Sequence, residues 1–269
     1  MSIRSRLNKW MLRRIALPAL NREMQEHGMH FYRYSAEADR LFPYRALSVD
    51  ALDANRAARI PSDDWYDALC ARNLNVDVAF DVGVNYGYTS AWFSRWAKQV
   101  YSFEPNPRNA AFVEEQLRIR GIGNVELTRA AMSDHEGEAV LHLKRFDGHH
   151  SLGDIGASDT MDRITVPVTT LDRQAELRGI EHVGLLKIDV EGFEPEVLRG
   201  ASGLLKARAI DLVLFEYSPT FYVQRSLDCQ APLDVLEGFG YRITTIHGEP
   251  IDRALLSPRR QVDLIAEPA

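Results

Sequence analysis

The order of apolar and polar positions divides the chain near residue 74. Before that point, apolar residues recur at helical spacing among charged residues, and there is no alternating strand pattern. After it, short runs rich in β-branched and aromatic residues alternate with amphipathic stretches of helical period. We therefore predict a helical N-terminal extension over residues 1–74 and one α/β domain over residues 75–269.

Within the α/β domain, each short apolar run predicts a strand and each amphipathic stretch predicts a helix. The predicted strands are VDVAFDV, QVYSFE, NVELTRAAM, EAVLHL, ITVPVTTL, VGLLKIDV, IDLVLFEY, YRITTI and QVDLIAE. The predicted helices cover residues 88–98, 106–121, 195–207 and 232–240, and a short one ends at Gly179. Strands that alternate with helices form βαβ units, so we expect a mainly parallel sheet. Only a loop joins the last two strands, which predicts an antiparallel pair at one edge.

The composition limits the classes of function. The chain has 269 residues and a net charge of −6, which fits one large domain with an extension and argues against a nucleic acid partner. Cys70 and Cys229 match no metal or redox spacing, so we expect a reducing, cytoplasmic compartment. No apolar run is long enough to predict a transmembrane helix.

The first 22 residues are basic and amphipathic. Six basic residues precede the first acid, Glu23, and apolar residues recur among them at helical spacing. Such a helix either docks on its own domain or a partner chain, or lies on an anionic membrane surface. We favour docking because the apolar stripe is short, and we leave peripheral membrane contact and a homodimer open. Arginines interrupt the segment, which is not typical of a cleaved signal peptide.

Acidic residues stand at the ends of several predicted parallel strands. In a doubly wound sheet, ligands bind outside the carboxyl ends of the strands, so these residues are expected to share one edge. They are Asp81, Glu104, Asp189, Glu191 and Glu216. Each acid alone is explained as a cap for the helix that follows it. Because four strands end in this way, we favour a shared ligand site, covered by the polar loop at residues 147–163.

The turn DVGVNYGY after the first strand restricts the kind of ligand. Gly83 and Gly87 allow close approach to the backbone, while Asn85 stands where a dinucleotide-binding loop needs its second glycine. Glu104, at the end of the next strand, is placed to accept hydrogen bonds from ribose hydroxyls. An NAD site is therefore disfavoured. S-adenosylmethionine fits, with its methionine part at the glycine turn and its ribose at Glu104.

Six segments resemble, in their order, the FkbM-type methyltransferases: FDVGVNYGYTS, SFEPNPRN, AAMSDHEGEAVLHL, HHSLG, VTTLD and LLKIDVEGFEPEVLRGA. The resemblance covers about residues 75–220, and KIDVEGFEPEVL together with FEPNP is its most specific part. The pair Gly83-Val84 departs mildly from the family's glycine-alanine. The resemblance implies a Rossmann-like class I methyltransferase fold, with a mainly parallel seven-stranded sheet and an antiparallel edge strand. It also implies S-adenosylmethionine as the cofactor.

The resemblance also implies which residues bind that cofactor. The turn from Asp81 to Thr89 is expected to hold the methionine part, and Glu104 the ribose. Asn106 either supports the ribose region or caps the next helix, and Ser133 lies in a segment expected beside the adenine. The full predicted set is Asp81, Gly83, Asn85, Gly87, Thr89, Glu104, Asn106, Ser133 and Asp189.

Two residues are predicted to take part in catalysis. Asp189 is expected to orient the acceptor, take its proton or bind the cofactor's ammonium group, and its alternative is a salt bridge with Lys187. His150, beside His149 in the loop over the site, is the better base near neutral pH, unless it is only a solvated loop histidine. We expect no metal, and magnesium held by the acids at the strand ends is the less favoured alternative.

These observations predict an S-adenosylmethionine-dependent methyltransferase that O-methylates a hydroxyl group. The expected acceptor is a small molecule or a glycan: a sugar, a glycolipid or a secondary metabolite. Two alternatives stay open at this point. One is an NAD-dependent oxidoreductase, and the other is a non-catalytic module that binds S-adenosylmethionine.

Overall fold

The computed structural model of the protein describes residues 64–144, 151–152, 160–253, 256 and 261–269. Residues 1–63 of the predicted helical extension lie outside the described residues. His149 and His150 also lie outside them. The described residues belong to one compact unit. The division between residues 74 and 75 stays a prediction.

The described residues form ten strands and eight helices. The strands are β1 Val76–Val82, β2 Ala97–Phe103, β3 Val125–Thr128, β4 Ala131–Met132, β5 Gly137–Lys144, β6 Thr160–Thr169, β7 Leu185–Ile188, β8 Val213–Tyr217, β9 Tyr241–Thr245 and β10 Val262–Pro268. The helices are α1 Asp64–Ala71, α2 Tyr88–Phe93, α3 Pro107–Ile119, α4 Leu171–Arg178, α5 Glu194–Arg199, α6 Ser202–Lys206, α7 Pro219–Gln224 and α8 Ala231–Gly238.

Seven strands form the main sheet, in the order β3-β2-β1-β7-β8-β10-β9. The pairs from β3 to β8 are parallel, and β10 runs antiparallel to both β8 and β9. The prediction of a mainly parallel seven-stranded sheet with an antiparallel strand near one edge is confirmed. The antiparallel strand β10 lies one place in from that edge, because β9 is the outermost strand.

The central strands are buried on both faces, as a parallel sheet with helices on each side requires. Alternate residues along β1, β7 and β8 fall in two separate hydrophobic clusters. One cluster contains Phe80, Leu186 and Phe215, and the other contains Ala79, Leu185 and Leu214. Two apolar faces explain why these strands appear in the sequence as continuous apolar runs.

Helix α1 falls within the predicted extension and packs on the second of these clusters. Its Trp65 and Leu69 are buried there, and the Trp65 ring meets that of Trp92 edge to face at 5.5 Å between centroids. Among the described residues, none of the helices has both the length and the apolar character that a bilayer-spanning segment needs.

A second, three-stranded sheet has the order β4-β6-β5. The sequence pattern predicts NVELTRAAM as one strand, but the segment forms β3 in the main sheet and β4 in the second sheet. The chain changes sheet at Arg129 and Ala130, because β4 pairs with β6 through Ala131 and Met132. Strands β5 and β6 pair antiparallel, and β6 begins at Thr160, so the last four residues of the loop predicted over residues 147–163 belong to a strand.

Several helix boundaries also differ from the predicted ones. The helix predicted for residues 88–98 ends at Phe93, because Ala97 already pairs with Val76 in the sheet. The helix predicted for residues 195–207 is divided into α5 and α6 near Gly200. A β-carbon at Gly200 would lie 1.9 Å from the carbonyl oxygen of Ser133, so glycine lets the two segments touch there. Helix α7 was not predicted.

Candidate active site

A cleft open to solvent lies at the carboxyl ends of β1, β2 and β7. This is the edge of the sheet at which the sequence predicts a ligand site. Its lining consists of Val82, Gly83, Asn85, Phe103, Glu104, Pro105, Asn109, Ala130, Ala131, Met132, Leu141, Ser151, Leu152, Asp189, Val190, Glu191 and Phe193. The structure thus brings together four of the predicted cofactor-binding residues, Gly83, Asn85, Glu104 and Asp189, and the predicted acid Glu191.

Asp81 lies behind the cleft wall and is fully buried. Its Oδ2 accepts hydrogen bonds from the hydroxyls of Thr89 and Ser90, both at 2.6 Å, at the start of α2. Burial raises the pKa of Asp81, while the positive charge of Lys187 acts in the opposite direction. Asp81 therefore fixes the first turn of α2 to the end of β1, and Thr89 is held there by it.

The two glycines of the first turn have left-handed backbones and different neighbours. Gly83 has φ 83°, and a β-carbon there would lie 1.7 Å from the carbonyl oxygen of Asp189. Gly87 has φ 82°, and its β-carbon would lie 3.0 Å from the side chain of Val113. The sequence predicts that these glycines make room for the cofactor. In the structure, the group that requires glycine at position 83 is the protein's own backbone.

Glu104 is buried at the end of β2, and two backbone groups fix its carboxylate. Oε2 accepts a hydrogen bond from the amide of Asn85, and Oε1 accepts one from the amide of Asn106, both at 2.8 Å. Burial raises the pKa of Glu104 to about 7, although these two hydrogen bonds lower it. An ionised carboxylate has about four acceptor positions, so about two remain for ligand hydroxyls.

The two remaining predicted cofactor residues, Asn106 and Ser133, are buried. The side chain of Asn106 accepts a hydrogen bond from the amide of Arg108 at 3.1 Å, so it caps α3. Ser133 is buried and directly follows the lining residues Ala131 and Met132 along the chain. Neither Asn106 nor Ser133 lines the cleft, and their roles toward the cofactor stay predictions.

Asp189 stands at the end of β7 beside a buried lysine. The Lys187 ammonium donates to Asp189 Oδ2 at 2.9 Å, so the salt bridge considered in the sequence analysis is present. Burial lowers the pKa of Lys187, but attraction to Asp189 and Asp81 outweighs this effect and the pKa is raised. The lysine therefore stays charged and holds one Asp189 oxygen, while Asp189 itself lines the cleft.

Three carboxylates gather at this end of the sheet. Asp189, Glu191 and Glu216 each present an oxygen atom within 4.8 Å of the other two. Burial, followed by repulsion from Asp189 and Glu191, raises the pKa of Glu216 to about 9. Ser218 donates a hydrogen bond to Glu216 at 2.8 Å. Carboxylate oxygens are the ligand type that magnesium prefers, but a group of acids alone does not define a metal site.

The loop between β5 and β6 contributes Ser151 and Leu152 to the cleft. The Ser151 hydroxyl donates to the carbonyl oxygen of Glu191 at 3.2 Å, which ties this loop to the turn after β7. Ser151 and Leu152 were not predicted to line the site, and neither were Asn109 and Phe193. The position of Ser151 directly after His150 in the predicted loop was the available signal for it.

The lining chemistry fits S-adenosylmethionine. Glu104 offers oriented acceptors for a ribose diol, and the carboxylates of Asp189 and Glu191 suit a ligand with a sulfonium and an ammonium charge. Apolar side chains also line the wall and suit an adenine ring; they include Phe103, Met132 and Leu141. Within the described residues, Asp81 Oδ1 is also a buried oxygen with no hydrogen-bond partner behind this wall.

The strand order and the cleft at the carboxyl ends of the strands define a Rossmann-like class I methyltransferase. A family model described as the methyltransferase FkbM domain matches residues 81–243. The chain belongs to the FkbM methyltransferase domain family, and it is an S-adenosylmethionine-dependent methyltransferase. The family assignment supports this activity over the oxidoreductase alternative.

Several known proteins are similar to parts of the chain. It is 28% identical over 179 residues to the 2-O-methyltransferase NoeI of Sinorhizobium fredii, covering 60% of this chain and 72% of that protein. It is 29% identical over 142 residues to the hexuronic acid methyltransferase AglP of Haloferax volcanii, covering 52% of this chain and 55% of that protein.

A crystal structure of methyltransferase FkbM from Methylobacillus flagellatus overlaps 71% of this chain and 43% of its own, at 13% identity and a TM-score of 0.46. The fold assignment rests on the strand order and not on this likeness.

Proposed function

We propose that the protein transfers a methyl group from S-adenosylmethionine to a hydroxyl oxygen of a sugar, free or within a glycolipid or secondary metabolite. The observation that carries the proposal is the cleft itself, in which Glu104 is oriented by two backbone amides and faces the same space as Asp189. The names of NoeI, a 2-O-methyltransferase, and AglP, a hexuronic acid methyltransferase, support a carbohydrate hydroxyl as the acceptor.

When bound, S-adenosylmethionine supplies an electrophilic methyl group on a sulfonium centre. The chain's residues then have to orient, desolvate and deprotonate the acceptor. Glu104 accepts hydrogen bonds from the ribose hydroxyls, which fixes the nucleoside at the end of β2. Asp189 keeps one oxygen on Lys187, so its other oxygen is available to orient the acceptor hydroxyl or the cofactor's ammonium group.

For the proton of the acceptor hydroxyl, we propose His150 as the base. The residue itself lies outside the described part of the chain, but its neighbour Ser151 lines the cleft. An imidazole titrates near neutral pH and is therefore a suitable proton acceptor there. Replacing His150 with alanine is expected to lower turnover without weakening cofactor binding, and His149→Ala serves as the matched control.

The test of the function is methyl transfer from isotopically labelled S-adenosylmethionine to a panel of sugars, uronic acids and extracted glycolipids. Labelled product whose methyl group is located on oxygen by NMR supports the proposal. A label on nitrogen or carbon would contradict O-methylation. Cofactor binding without transfer to any member of the panel or to whole-cell extract would favour the non-catalytic binding module.

We further propose a cytoplasmic protein whose basic N-terminal segment, residues 1–22, docks on its own domain or on a partner chain, with peripheral contact to anionic membranes as the alternative. Co-sedimentation with vesicles containing an anionic lipid tests this contact, and neutral vesicles are the control. Sedimentation that is equal for the two vesicle types, or absent with both, would contradict it. A homodimer is tested by light scattering of the full chain.

A further inference from the structure

The turn after β7 has a backbone that needs support. Glu191 has φ 53° and Gly192 has φ 94°, so two successive residues lie in the left-handed region. That region is disfavoured for a residue with a side chain, and it persists where the surroundings hold it. This turn carries Asp189 and Glu191 into the cleft. The geometry of the cleft therefore depends on whatever holds the turn.

Glu194 holds the turn from inside the protein. It is the first residue of α5 and is fully buried. Its Oε1 accepts hydrogen bonds from the amides of Val190 at 3.0 Å and Gly192 at 3.2 Å, which lie on either side of Glu191. One carboxylate oxygen thus fixes both sides of the left-handed residue. Glu194 is not part of the cleft lining, so its effect on the cleft passes through the turn.

Arg225 holds the same turn from the other side. Its guanidinium donates to the carbonyl oxygen of Gly192 and lies 3.5 Å from the ring centroid of Phe193. Glu196 accepts from Arg225 at 2.9 and 3.1 Å, which orients the guanidinium. Glu194 therefore accepts hydrogen bonds from two amides of the turn, those of Val190 and Gly192, and Arg225 donates to one of its carbonyls.

We propose that Glu194 is a positioning residue for cofactor binding, because its buried carboxylate fixes the turn that carries Asp189 and Glu191 into the cleft. The inference rests on the proposed function in one respect, namely that the cofactor is held in this cleft. A purely structural role would lower stability without a specific effect on affinity. A positioning role couples the Glu194 side chain to the residues that touch the ligand.

The test is calorimetric titration of the full chain with S-adenosylhomocysteine. Burial raises the pKa of Glu194 to about 7, so a pH of about 8.5 keeps the carboxylate ionised. Glu194→Ala is expected to weaken binding by about tenfold or more, the effect of losing one charge-assisted hydrogen bond or more. Glu194→Gln keeps an acceptor oxygen and is expected to recover most of the affinity.

Asp172 provides a matched control away from the cleft. Its carboxylate also accepts two backbone hydrogen bonds, from Gly203 at 2.7 Å and Leu204 at 3.0 Å. Asp172→Ala is expected to lower the melting temperature while leaving the affinity for S-adenosylhomocysteine unchanged. Equal losses of affinity in Asp172→Ala and Glu194→Ala would overturn the proposal, because both would then reflect general loosening.

A double-mutant cycle separates the inference from the function. Glu194→Ala combined with Asp189→Asn is expected to weaken binding by less than the product of the single effects, because both act through one turn. Independent effects would overturn the proposal. If Glu194→Ala does not fold, Glu194→Asp replaces it, since its shorter side chain cannot reach both amides. Unchanged affinity in that variant would also overturn it.

Two outcomes distinguish this inference from the proposed function. A wild-type chain that does not bind S-adenosylhomocysteine would overturn both. A wild-type chain that binds, together with a folded Glu194→Ala variant of equal affinity, would overturn the positioning role alone.

Discussion

A β-carbon at Gly83 would lie 1.7 Å from the carbonyl oxygen of Asp189, so the turn after β1 and the end of β7 meet backbone to backbone. These two segments carry lining residues from opposite sides of the cleft. The two segments can lie this close only because residue 83 has no side chain. Any side chain at position 83 has to push them apart.

The first prediction concerns this contact. Gly83→Ala is expected to lower the free energy of unfolding by about 3 kcal/mol, because it adds a backbone clash to a left-handed conformation. Gly121 is a matched control, since it has φ 64° and a β-carbon added there would meet no atom within 4 Å. Gly121→Ala is expected to cost only about 1 kcal/mol. Urea unfolding measures both, and equal costs would contradict the backbone contact.

The second prediction concerns the ribose-binding role of Glu104. Glu104→Ala is expected to weaken S-adenosylhomocysteine binding by about tenfold or more, since the ligand loses hydrogen bonds to a charged acceptor. Glu114→Ala is the control, because Glu114 is half exposed and pairs with Arg129 on the surface. Calorimetry provides the measurement. Wild-type affinity in Glu104→Ala would remove the basis for placing the nucleoside at β2.

The third prediction concerns pH. Burial raises the pKa of Glu104 from 4.5 to about 7. Its stabilising contribution to folding is therefore complete below about pH 4.5 and is lost as the pH rises through about 7. Ligand hydroxyls need the ionised form, so affinity for S-adenosylhomocysteine is expected to increase between about pH 6 and 8. Glu104→Gln is expected to reduce this pH dependence, and an unchanged slope would contradict the assignment to Glu104.

The fourth prediction concerns Glu216, whose pKa is raised from 4.5 to about 9. The folded protein favours the protonated carboxyl, so its stabilising contribution is complete only below about pH 4.5 and is lost progressively as the pH rises from there through about 9. Glu216→Gln imitates the protonated form. It is expected to make the protein more stable than wild type at about pH 7, and by a larger margin at about pH 9.5, because the unfolded wild-type Glu216 is already ionised at both pH values. Urea unfolding measures both proteins at the two pH values. An equal difference in unfolding free energy between variant and wild type at both would contradict the raised pKa of Glu216.

The fifth prediction concerns Lys187. Lys187→Met leaves the carboxylates of Asp189 and Asp81 without their buried cation, and is expected to lower unfolding free energy by about 3 kcal/mol or more. Lys98 is the control, because its ion pair with Asp77 is exposed. Lys98→Met is expected to cost about 0–1 kcal/mol. Denaturant unfolding at neutral pH measures both, and similar costs would show that the buried pair is not needed.

The sequence predicts the parallel sheet and the edge that carries the cleft, because both depend on local patterns. Continuous apolar runs mark the buried strands, and the acid that ends β2 marks Glu104 as a lining residue. The division of NVELTRAAM between two sheets depends on the pairing of Ala131 with Val168, which lies far along the chain. Helix α7 is a short element of 6 residues, so its apolar period is too brief to recognise.

The contacts inside the cleft also lie beyond what the sequence predicts. The motif DVEGFEPE shows that a turn and a helix follow β7, but it does not show that Glu194 bonds back to Val190 and Gly192. In the same way, Gly83 is predicted as a position of close approach, while its partner Asp189 comes from a strand about 100 residues later. Such pairs are set by tertiary packing.

Strand β10 fills the place between β8 and β9 although it follows both of them along the chain. Until β10 arrives, β9 has no neighbour in the sheet and β8 keeps an open edge. The pairing of β10 with β8 joins segments about 50 residues apart along the chain, so it requires the closure of a long loop. A molecule caught before that step exposes the unpaired edge of β8, where a strand of another copy can bind in place of its own β10.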